Sequence, residues 1–97
     1  MRKLEDMSIL VTGGGSGIGA DCARRFCDRG ARVTISGRRL EKLEAIKNEL
    51  GELCHVIQGD VTVQADREAM LAGSTQHGGQ LDALVNNAAN MSRTPVD

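Results

Sequence analysis

Short runs of apolar and β-branched residues alternate with segments of helical periodicity along the whole chain. Each short run is followed by glycine or polar turn residues, which is typical of a buried strand. Each periodic segment is followed by a glycine, which is typical of a helix end. The predicted strands are Ser8–Thr12, Arg32–Ser36, Cys54–Gln58 and Asp82–Asn86, and the predicted helices run from Gly17 to Arg29, from Leu40 to Leu50 and from Val63 to about Gly78.

This alternation limits the fold more than any other feature of the sequence. Strands separated by helices are typical of βαβ units, in which the strands of one sheet are parallel. Right-handed crossovers then place helices on both faces of the sheet, so that the strands can be apolar throughout. We predict an α/β fold: a Rossmann-like doubly wound parallel sheet of four strands in the order 3-2-1-4, with three helices.

Composition and charge exclude several classes of protein. The formal net charge is −1, which predicts neither a nucleic-acid partner nor an anionic membrane partner. No apolar run approaches the roughly 20 residues of a membrane span. Glu5 and Asp6 interrupt the N-terminal segment, so it lacks the pattern of a secretory signal. The 3 cysteines form no CxxC motif, so we expect free thiols, no metal site and a cytoplasmic protein.

A glycine-rich stretch, VTGGGSGIGA at residues 11–20, lies between the first predicted strand and the first predicted helix. The first turn of a helix presents unpaired N–H groups and the positive end of the helix dipole. A pyrophosphate can bind there only if no side chain covers the backbone, which explains the glycines. Gly13, Gly17 and Gly19 have the spacing G-x-x-x-G-x-G, but Gly15, Gly17 and Ala20 satisfy a second spacing, G-x-G-x-x-A. Both registers stay open, as does a glycine-rich turn without a ligand.

Two arginines follow the second predicted strand, where a dinucleotide-binding fold contacts the adenosine ribose. An acidic residue at this point binds the 2′-hydroxyl of NAD, whereas an arginine accommodates the 2′-phosphate of NADP. This chain has Gly37 where an acid would stand, followed by Arg38 and Arg39. The pair favours NADP as the cofactor, with NAD as the alternative, because arginine binds phosphate through two parallel hydrogen bonds. The competing interpretation is that both arginines only solvate the start of the next helix.

Three motifs together resemble the classical short-chain dehydrogenase/reductase family: TGGGSGIG at residues 12–19, GDV at 59–61 and NNAA at 86–89. Their order and spacing agree with that family over essentially the whole chain. The resemblance implies hydride transfer between a nicotinamide cofactor and a carbonyl or hydroxyl group of a small-molecule substrate. It also implies that residues 1–97 are the N-terminal part of a single dinucleotide-binding Rossmann domain, with a homo-oligomer formed by the full-length protein.

The resemblance also implies a role for each motif residue in cofactor binding. The glycines of TGGGSGIG would turn the chain around the pyrophosphate, and the arginines would face the 2′-phosphate. Asp60 would accept a hydrogen bond from the adenine amino group, although a carboxylate here could instead cap a turn. Asn87, Ala88 and Ala89 would line the path to the nicotinamide ribose, whereas Asn86 and Asn87 could instead form an ordinary strand-end turn. Ala89 replaces the family's usual glycine. The predicted cofactor-binding residues are Gly13, Ser16, Gly17, Ile18, Gly19, Arg38, Arg39, Asp60, Val61, Asn87, Ala88 and Ala89.

The family's acid–base chemistry depends on a Tyr-x-x-x-Lys pair, and this sequence contains no tyrosine. We therefore predict no catalytic residue in this chain. Family members usually run to about 250 residues as one domain, so we expect a chain truncated before the catalytic pair. Such a chain would be inactive by itself and marginally stable, with an exposed sheet edge. The alternative is a non-catalytic nucleotide-binding module or an inactive remnant.

Overall fold

The computed structural model describes residues 3–15 and 17–87 of the chain. A single-turn 3₁₀ helix, Leu4–Asp6, precedes the first strand, and a second one, Gly51–Leu53, precedes the third. The strands are β1 (Ser8–Thr12), β2 (Arg32–Gly37), β3 (Cys54–Gln58) and β4 (Ala83–Asn86), and the helices are α1 (Gly17–Asp28), α2 (Leu40–Leu50) and α3 (Gln64–Gly78).

The four strands form one parallel sheet in the order β3-β2-β1-β4. Ser8 of β1 pairs with Arg32 of β2, and Ile9 of β1 pairs with Ala83 of β4. The predicted fold class and strand order are therefore confirmed. After β3, helix α3 crosses over the sheet and returns the chain to the other side of β1. Strand β4 therefore pairs with β1 on the side opposite β2.

Four element ends differ from the prediction by one residue, among them the start of α3, which lies at Gln64 and leaves Val63 as the N-cap. Helix α1 ends at Asp28, because the Gly30 N–H group turns to the carbonyl of Cys27 and Gly30 adopts φ of +89°. Strand β2 continues to Gly37, which pairs with Gln58 of β3. Strand β4 begins at Ala83, although the Asp82 N–H group still donates to the Ser8 carbonyl at 2.8 Å. Periodicity alone does not locate the two strand ends, because the pairings that fix them join residues distant in the sequence.

Helices α1 and α2 cover one face of the sheet, here called the α1/α2 face. The side chains that β1 and β2 turn toward it are apolar, since alternate residues of a strand point to opposite faces. They form a continuous core with apolar residues of both helices and of β3. This cluster contains Ile9, Val11, Ala20, Ala23, Cys27, Ala31, Val33, Ile35, Leu43, Ile46 and Cys54.

Helix α3 packs on the opposite face, here called the α3 face, over β1, β2 and β3. Its buried residues are Met70 and Ser74, and the intervening strand residues beneath it are largely serine and threonine. Within the described part of the chain, no helix is long and apolar enough to cross a membrane.

Candidate functional site

The predicted site residues collect at one edge of the sheet. All four strands are parallel, so their carboxyl ends meet at the same edge, and the loops that follow them lie side by side. Ligands of open α/β sheets bind in the crevice outside these carboxyl ends. The glycine loop after β1, the arginines after β2, Asp60 after β3 and Asn87 after β4 all lie there. Ser16, Ala88 and Ala89 lie outside the described residues.

The glycine loop has the register Gly13, Gly17 and Gly19. Gly13 and Gly17 adopt φ of +70° and +54°, in the left-handed region that side chains disfavour. A Cβ atom on Gly19 would overlap the Gly13 carbonyl oxygen and would lie 2.9 Å from the Asn87 amide nitrogen. Ala20, a member of the second spacing, is buried in the core. These observations favour the spacing of Gly13, Gly17 and Gly19, because the positive φ of the first two disfavours a side chain and Gly19 leaves no room for one against Gly13.

A fourth glycine, Gly14, was not singled out from the sequence. A Cβ atom there would lie 2.6 Å from the Ile35 Cβ atom, and the Gly14 N–H group donates to the Ser36 carbonyl at 3.0 Å. The lack of a side chain at Gly14 therefore allows the backbone of the glycine loop to pack directly against β2. The run of three consecutive glycines was the available signal, but the close approach itself is a contact with a strand about 20 residues away.

The first turn of α1 faces the site with its backbone N–H groups. It contains no acidic side chain, and Ile18 is 71% exposed. The positive end of the helix dipole and the orphan N–H groups of this turn suit an anion such as a phosphate. Because the loop glycines carry no side chains, the backbone here is accessible to a ligand.

Arg38 and Arg39 are exposed and lie next to the glycine loop. Two hydrogen bonds from the end of β3 hold the backbone before them. The Gly59 N–H group donates to the Gly37 carbonyl at 2.8 Å, and the Gln58 side-chain amide donates to the Arg38 carbonyl at 3.0 Å. Arg39 is the N-cap residue of α2 and makes no side-chain capping bond. Among residues 3–15 and 17–87, neither guanidinium forms a salt bridge.

Asp60 stabilises its own loop. Its Oδ1 atom accepts hydrogen bonds from the Thr62 backbone N–H at 2.8 Å and from the Thr62 hydroxyl at 2.7 Å. These two bonds, together with the positive charge of Arg38, lower the pKa of the Asp60 carboxyl below its ordinary value. Asp60 thus has the turn-capping role that the sequence left open. It is also a fixed, ionised acceptor at the site.

The end of strand β4, at Asn86 and Asn87, is held in place by β1. The Thr12 hydroxyl donates to the Asn86 side-chain oxygen at 3.0 Å and accepts from the Asn87 N–H group at 3.1 Å. Asn87 in turn lies against Gly19 at the start of α1. Two of the predicted motifs, TGGGSGIG and NNAA, therefore meet in one network at the carboxyl ends of β1 and β4.

A family model described as short chain dehydrogenase matches residues 7–97. The chain belongs to the short-chain dehydrogenase family. This assignment agrees with the contacts between the first and the last motif of the resemblance, namely those of Gly19 with Asn87 and of Thr12 with Asn86.

Curated short-chain dehydrogenase relatives are longer than this chain. It is 45% identical over 82 residues to an NADP-dependent 3-hydroxy acid dehydrogenase, YdfG, of Salmonella typhi, a match that covers 84% of this chain and 33% of the relative. It is 38% identical over 96 residues to the oxidoreductase asL5 of Sarocladium schorii, covering 99% of this chain and 39% of the relative. The chain thus spans between a third and two-fifths of the length of these relatives.

Solved short-chain dehydrogenase structures superpose on the described fold. A short chain dehydrogenase from Bacillus anthracis aligns with a TM-score of 0.85 and 37% identity, covering 91% of this chain and 37% of that one. A closed form of serine dehydrogenase complexed with NADP⁺ aligns with a TM-score of 0.75 and 42% identity, covering 81% and 32%. The sheet order and the three helices are therefore those of the family.

The cysteines of this short-chain dehydrogenase lie away from the site. Burial raises the pKa of Cys27 to about 11 and that of Cys54 to about 12, so both remain protonated thiols in the core. Cys22 is half-buried on α1. Within the described ranges, no group of three histidine, cysteine or acidic side chains is placed to hold a metal ion.

The two histidines form a pair that the sequence did not reveal. The rings of His55 on β3 and His77 on α3 are stacked with centroids 5.2 Å apart. His77 Nε2 donates to the Leu53 carbonyl at 3.1 Å, which holds the ring beside β3. The pair lies on the α3 face, distant in sequence from the glycine loop, and acts as packing between helix and strand.

Proposed function

We propose that this chain is the cofactor-binding part of an NADP-preferring oxidoreductase that transfers hydride between a nicotinamide cofactor and a carbonyl or hydroxyl group of a small molecule. The observation that carries the proposal is the close approach of Gly19 to the Gly13 carbonyl oxygen, which packs the glycine loop directly against the first turn of α1. A methyl group on Gly19 would overlap the Gly13 carbonyl oxygen, so only glycine at this position lets the loop close against the start of α1.

The glycine loop would bind the pyrophosphate through backbone groups alone. Gly17, Ile18 and Gly19 form the first turn of α1, whose N–H groups point away from the helix. The absence of an acidic side chain in that turn leaves its positive dipole end uncompensated, which favours a bound anion. Ser16, as the residue that precedes this turn, belongs to the same proposed contact.

The arginines support NADP over NAD. Arg38 and Arg39 are exposed, follow Gly37 at the carboxyl end of β2 and have no acidic residue beside them in sequence before Glu41. A guanidinium can form two parallel hydrogen bonds to a 2′-phosphate, whereas NAD offers only a hydroxyl there. Relatives whose names state NADP dependence agree with this choice. NAD remains the alternative cofactor, since a reductase of the same fold from Brucella melitensis is complexed with NADH.

The remaining contacts would hold the two ends of the cofactor. Asp60 would accept a hydrogen bond from the adenine amino group, with the Val61 backbone beside it. Asn87, next to Gly19, would lie beside the nicotinamide ribose, and Ala88 and Ala89 are assigned to the same path. The nicotinamide ring itself supplies or accepts the hydride, so the work of this chain is binding and orientation.

We assign no acid–base step to these 97 residues, since they contain no tyrosine and no histidine lies at the site. By this proposal the 97-residue chain binds cofactor without turnover. The second candidate function, a nucleotide-binding module that does no chemistry, rests on the same lack of tyrosine. We further propose a cytoplasmic homo-oligomer for the full-length protein.

Titration of NADPH and NADH into the protein, followed by nicotinamide fluorescence, tests the proposal. We expect NADPH to bind at least about tenfold more tightly than NADH, the contribution of one charge-assisted bond. The double variant Arg38→Ala/Arg39→Ala should weaken NADPH binding about 10- to 100-fold and leave NADH nearly unchanged. Tighter binding of NADH would refute the NADP preference, and binding of neither would refute the function.

Arg25→Ala is the matched control, because Arg25 carries the same charge in the last turn of α1, at the end remote from the site. It should change neither affinity. Oxidation of NADPH with a panel of carbonyl compounds then separates the two candidate functions: steady turnover by the 97-residue chain would contradict the assignment of binding alone.

A further inference from the structure

Asp66, a residue of α3 outside every predicted motif, reaches back to the loop that carries Asp60. Its Oδ2 atom accepts a hydrogen bond from the Asp60 backbone N–H at 2.8 Å, and the bond is partly buried. Asp66 is the third residue of α3, whose N-cap is Val63. A carboxylate at this position commonly bonds back to the N-cap N–H in a capping box.

In this chain that N–H group is already occupied. The Val63 N–H donates to the Asp60 carbonyl at 2.9 Å, and the Val63 side chain makes no capping bond. Asp66 is thereby directed three residues further back along the chain, from the start of its own helix to the loop at the site. An acid that served only the helix would bond the first-turn N–H groups instead.

The sequence before Asp60 makes room for this contact. A Cβ atom on Gly59 would lie 3.2 Å from the Asp66 Cβ and 2.9 Å from the Met70 methyl group, so the Asp66 side chain packs over bare backbone. Gly59 also donates to Gly37 on the other side of the loop. The loop is thus fixed between the arginine segment and α3.

Asp60 is therefore held through both its side chain and its backbone. Thr62 donates two hydrogen bonds to the Oδ1 atom of Asp60, and Asp66 accepts one from the backbone N–H of Asp60. Arg67, the next residue of α3, donates to the Val61 carbonyl at 2.6 Å. Two consecutive residues of α3 therefore fix the peptide group before Asp60 and the peptide group after Val61, which is the arrangement expected where a side chain must be presented in one orientation.

We propose that Asp66 is a positioning residue for adenine recognition: it orients the Asp60 carboxylate toward the adenine amino group. The inference rests on the proposed function, in which Asp60 accepts a hydrogen bond from that group. Arg67 supports the same loop through the Val61 carbonyl, but Asp66 bonds to Asp60 itself. Since adenine is common to NADP and NAD, the role concerns affinity for both cofactors and not the choice between them.

The test compares two cofactors that differ only in the base. Reduced NADP and its hypoxanthine analogue, which has an oxygen in place of the amino group, are titrated into wild-type and variant proteins. Wild type should prefer the adenine form. Asp66→Ala should weaken binding of NADPH by about fivefold to tenfold, and of NADH by the same factor, because one hydrogen bond that orients the acceptor is lost. The hypoxanthine analogue should lose less than about twofold.

Two further variants separate orientation from general destabilisation. Asp66→Asn keeps an acceptor oxygen and should recover most of the affinity for NADPH. Asp66→Ser is too short to reach Asp60 and should behave as Asp66→Ala does, which keeps the test valid should the alanine variant fold poorly. Glu68→Ala is the matched control, because Glu68 accepts a hydrogen bond from the Gln64 side-chain amide at 3.1 Å on the exposed side of α3. It should change the affinity for neither base.

Each contrary result has a distinct meaning. An equal loss for both bases, or no loss for either, overturns the positioning role while leaving cofactor binding intact. Equal affinity of wild type for both bases removes the adenine role of Asp60 and the positioning role with it. A wild-type protein that binds none of the cofactors overturns the proposed function itself.

Discussion

The two faces of the sheet are built from the same strands but from different chemistry. On the α1/α2 face, β1 and β2 present Ile9, Val11, Val33 and Ile35, all within 1% of complete burial. On the α3 face, the same two strands present mainly hydroxyl side chains, with Leu10 as the exception. Among residues 3–15 and 17–87, the buried polar residues are Ser8, Thr12, Thr34, Ser36 and Ser74, and all belong to this second face or to the helix on it.

The hydroxyls of the α3 face depend on individual partners. Ser8 donates to the Ser74 carbonyl at 3.3 Å, and Ser36 donates to the Met70 sulfur at 3.3 Å. In the part of the chain that the structure describes, the Thr34 hydroxyl and the Ser74 hydroxyl have no partner. Small residues let α3 approach the sheet closely: a Cβ atom on Gly78 would overlap Ser8.

The sheet therefore stabilises the helices on its two faces in different ways. An apolar cluster stabilises α1 and α2 through buried area, and its contribution depends little on the direction of any one contact. A hydroxyl-rich face gains less from burial, so α3 is held by close packing and by specific bonds. Helix α3 is also the helix whose first turn fixes the Asp60 loop, so directional contacts continue from the face into the site.

Ile35→Ala should produce the largest effect, because Ile35 is fully buried in the continuous apolar cluster. We expect a loss of about 3–5 kcal/mol in the free energy of unfolding, against about 2–3 kcal/mol for Leu10→Ala on the α3 face. Urea unfolding followed by circular dichroism is the measurement, since the chain has no tryptophan or tyrosine. An equal or greater loss of unfolding free energy for Leu10→Ala would contradict the view that the α1/α2 face contributes more to stability through apolar burial.

Thr34→Val should stabilise the protein, and it tests the contrast between the two faces at a single buried hydroxyl. Thr34 is fully buried and its hydroxyl has no partner among the described residues, so an isosteric methyl group removes an unsatisfied polar atom. We expect a gain of up to about 1 kcal/mol in the same urea titration. Thr12→Val is the control: its hydroxyl bonds to Asn86 and Asn87, and its removal should cost about 1 kcal/mol. Destabilisation by both would refute the interpretation.

The smallest effect expected is a pH dependence from the histidine pair on the α3 face. Burial lowers the pKa of His55 below its ordinary value of 6.5, and the neighbouring His77 and Lys47 lower it further. The unfolded chain therefore takes up a proton near that value while the folded chain resists it. Stability is complete above the unfolded pKa and declines as the pH falls below it.

Thermal melts at about pH 8 and about pH 5.5 measure this effect, since histidine is the side chain that titrates in this range. We expect Tm to fall by a few degrees in the wild type and by less in His55→Gln, which cannot take up the proton. The same fall in both proteins would show that other groups carry the pH dependence.

The elements and their order were predictable because they depend on local periodicity and on general rules of chain topology. The run from Ser8 to Thr12 is a strand in both prediction and structure, and the order 3-2-1-4 follows from right-handed crossovers. Strand β3 is less buried than its apolar sequence suggests, because it is the sheet edge in the described fold.

The site was predictable where a residue's type alone limits its role. Gly13, Gly17 and Gly19 were named because only glycine permits such backbone, yet two registers stayed open until the contact between Gly19 and Gly13 was seen. Gly14 and Asp66 were missed, since neither has a local signature: one is required by Ile35 and the other acts on Asp60. The cofactor roles of Arg38, Arg39 and Asp60 stay predictions.

By itself the sequence determined the alternation of strands and helices, the parallel sheet and the glycine loop between β1 and α1. These follow from interactions within a few residues. The spacing of apolar side chains distinguishes a helix from a strand, and the positions of the glycines show where the backbone can turn. Tertiary structure alone decided the glycine register, the pairing of His55 with His77 and the bond from Asp66 to Asp60. Each of these depends on a distance between segments that only the folded chain brings together.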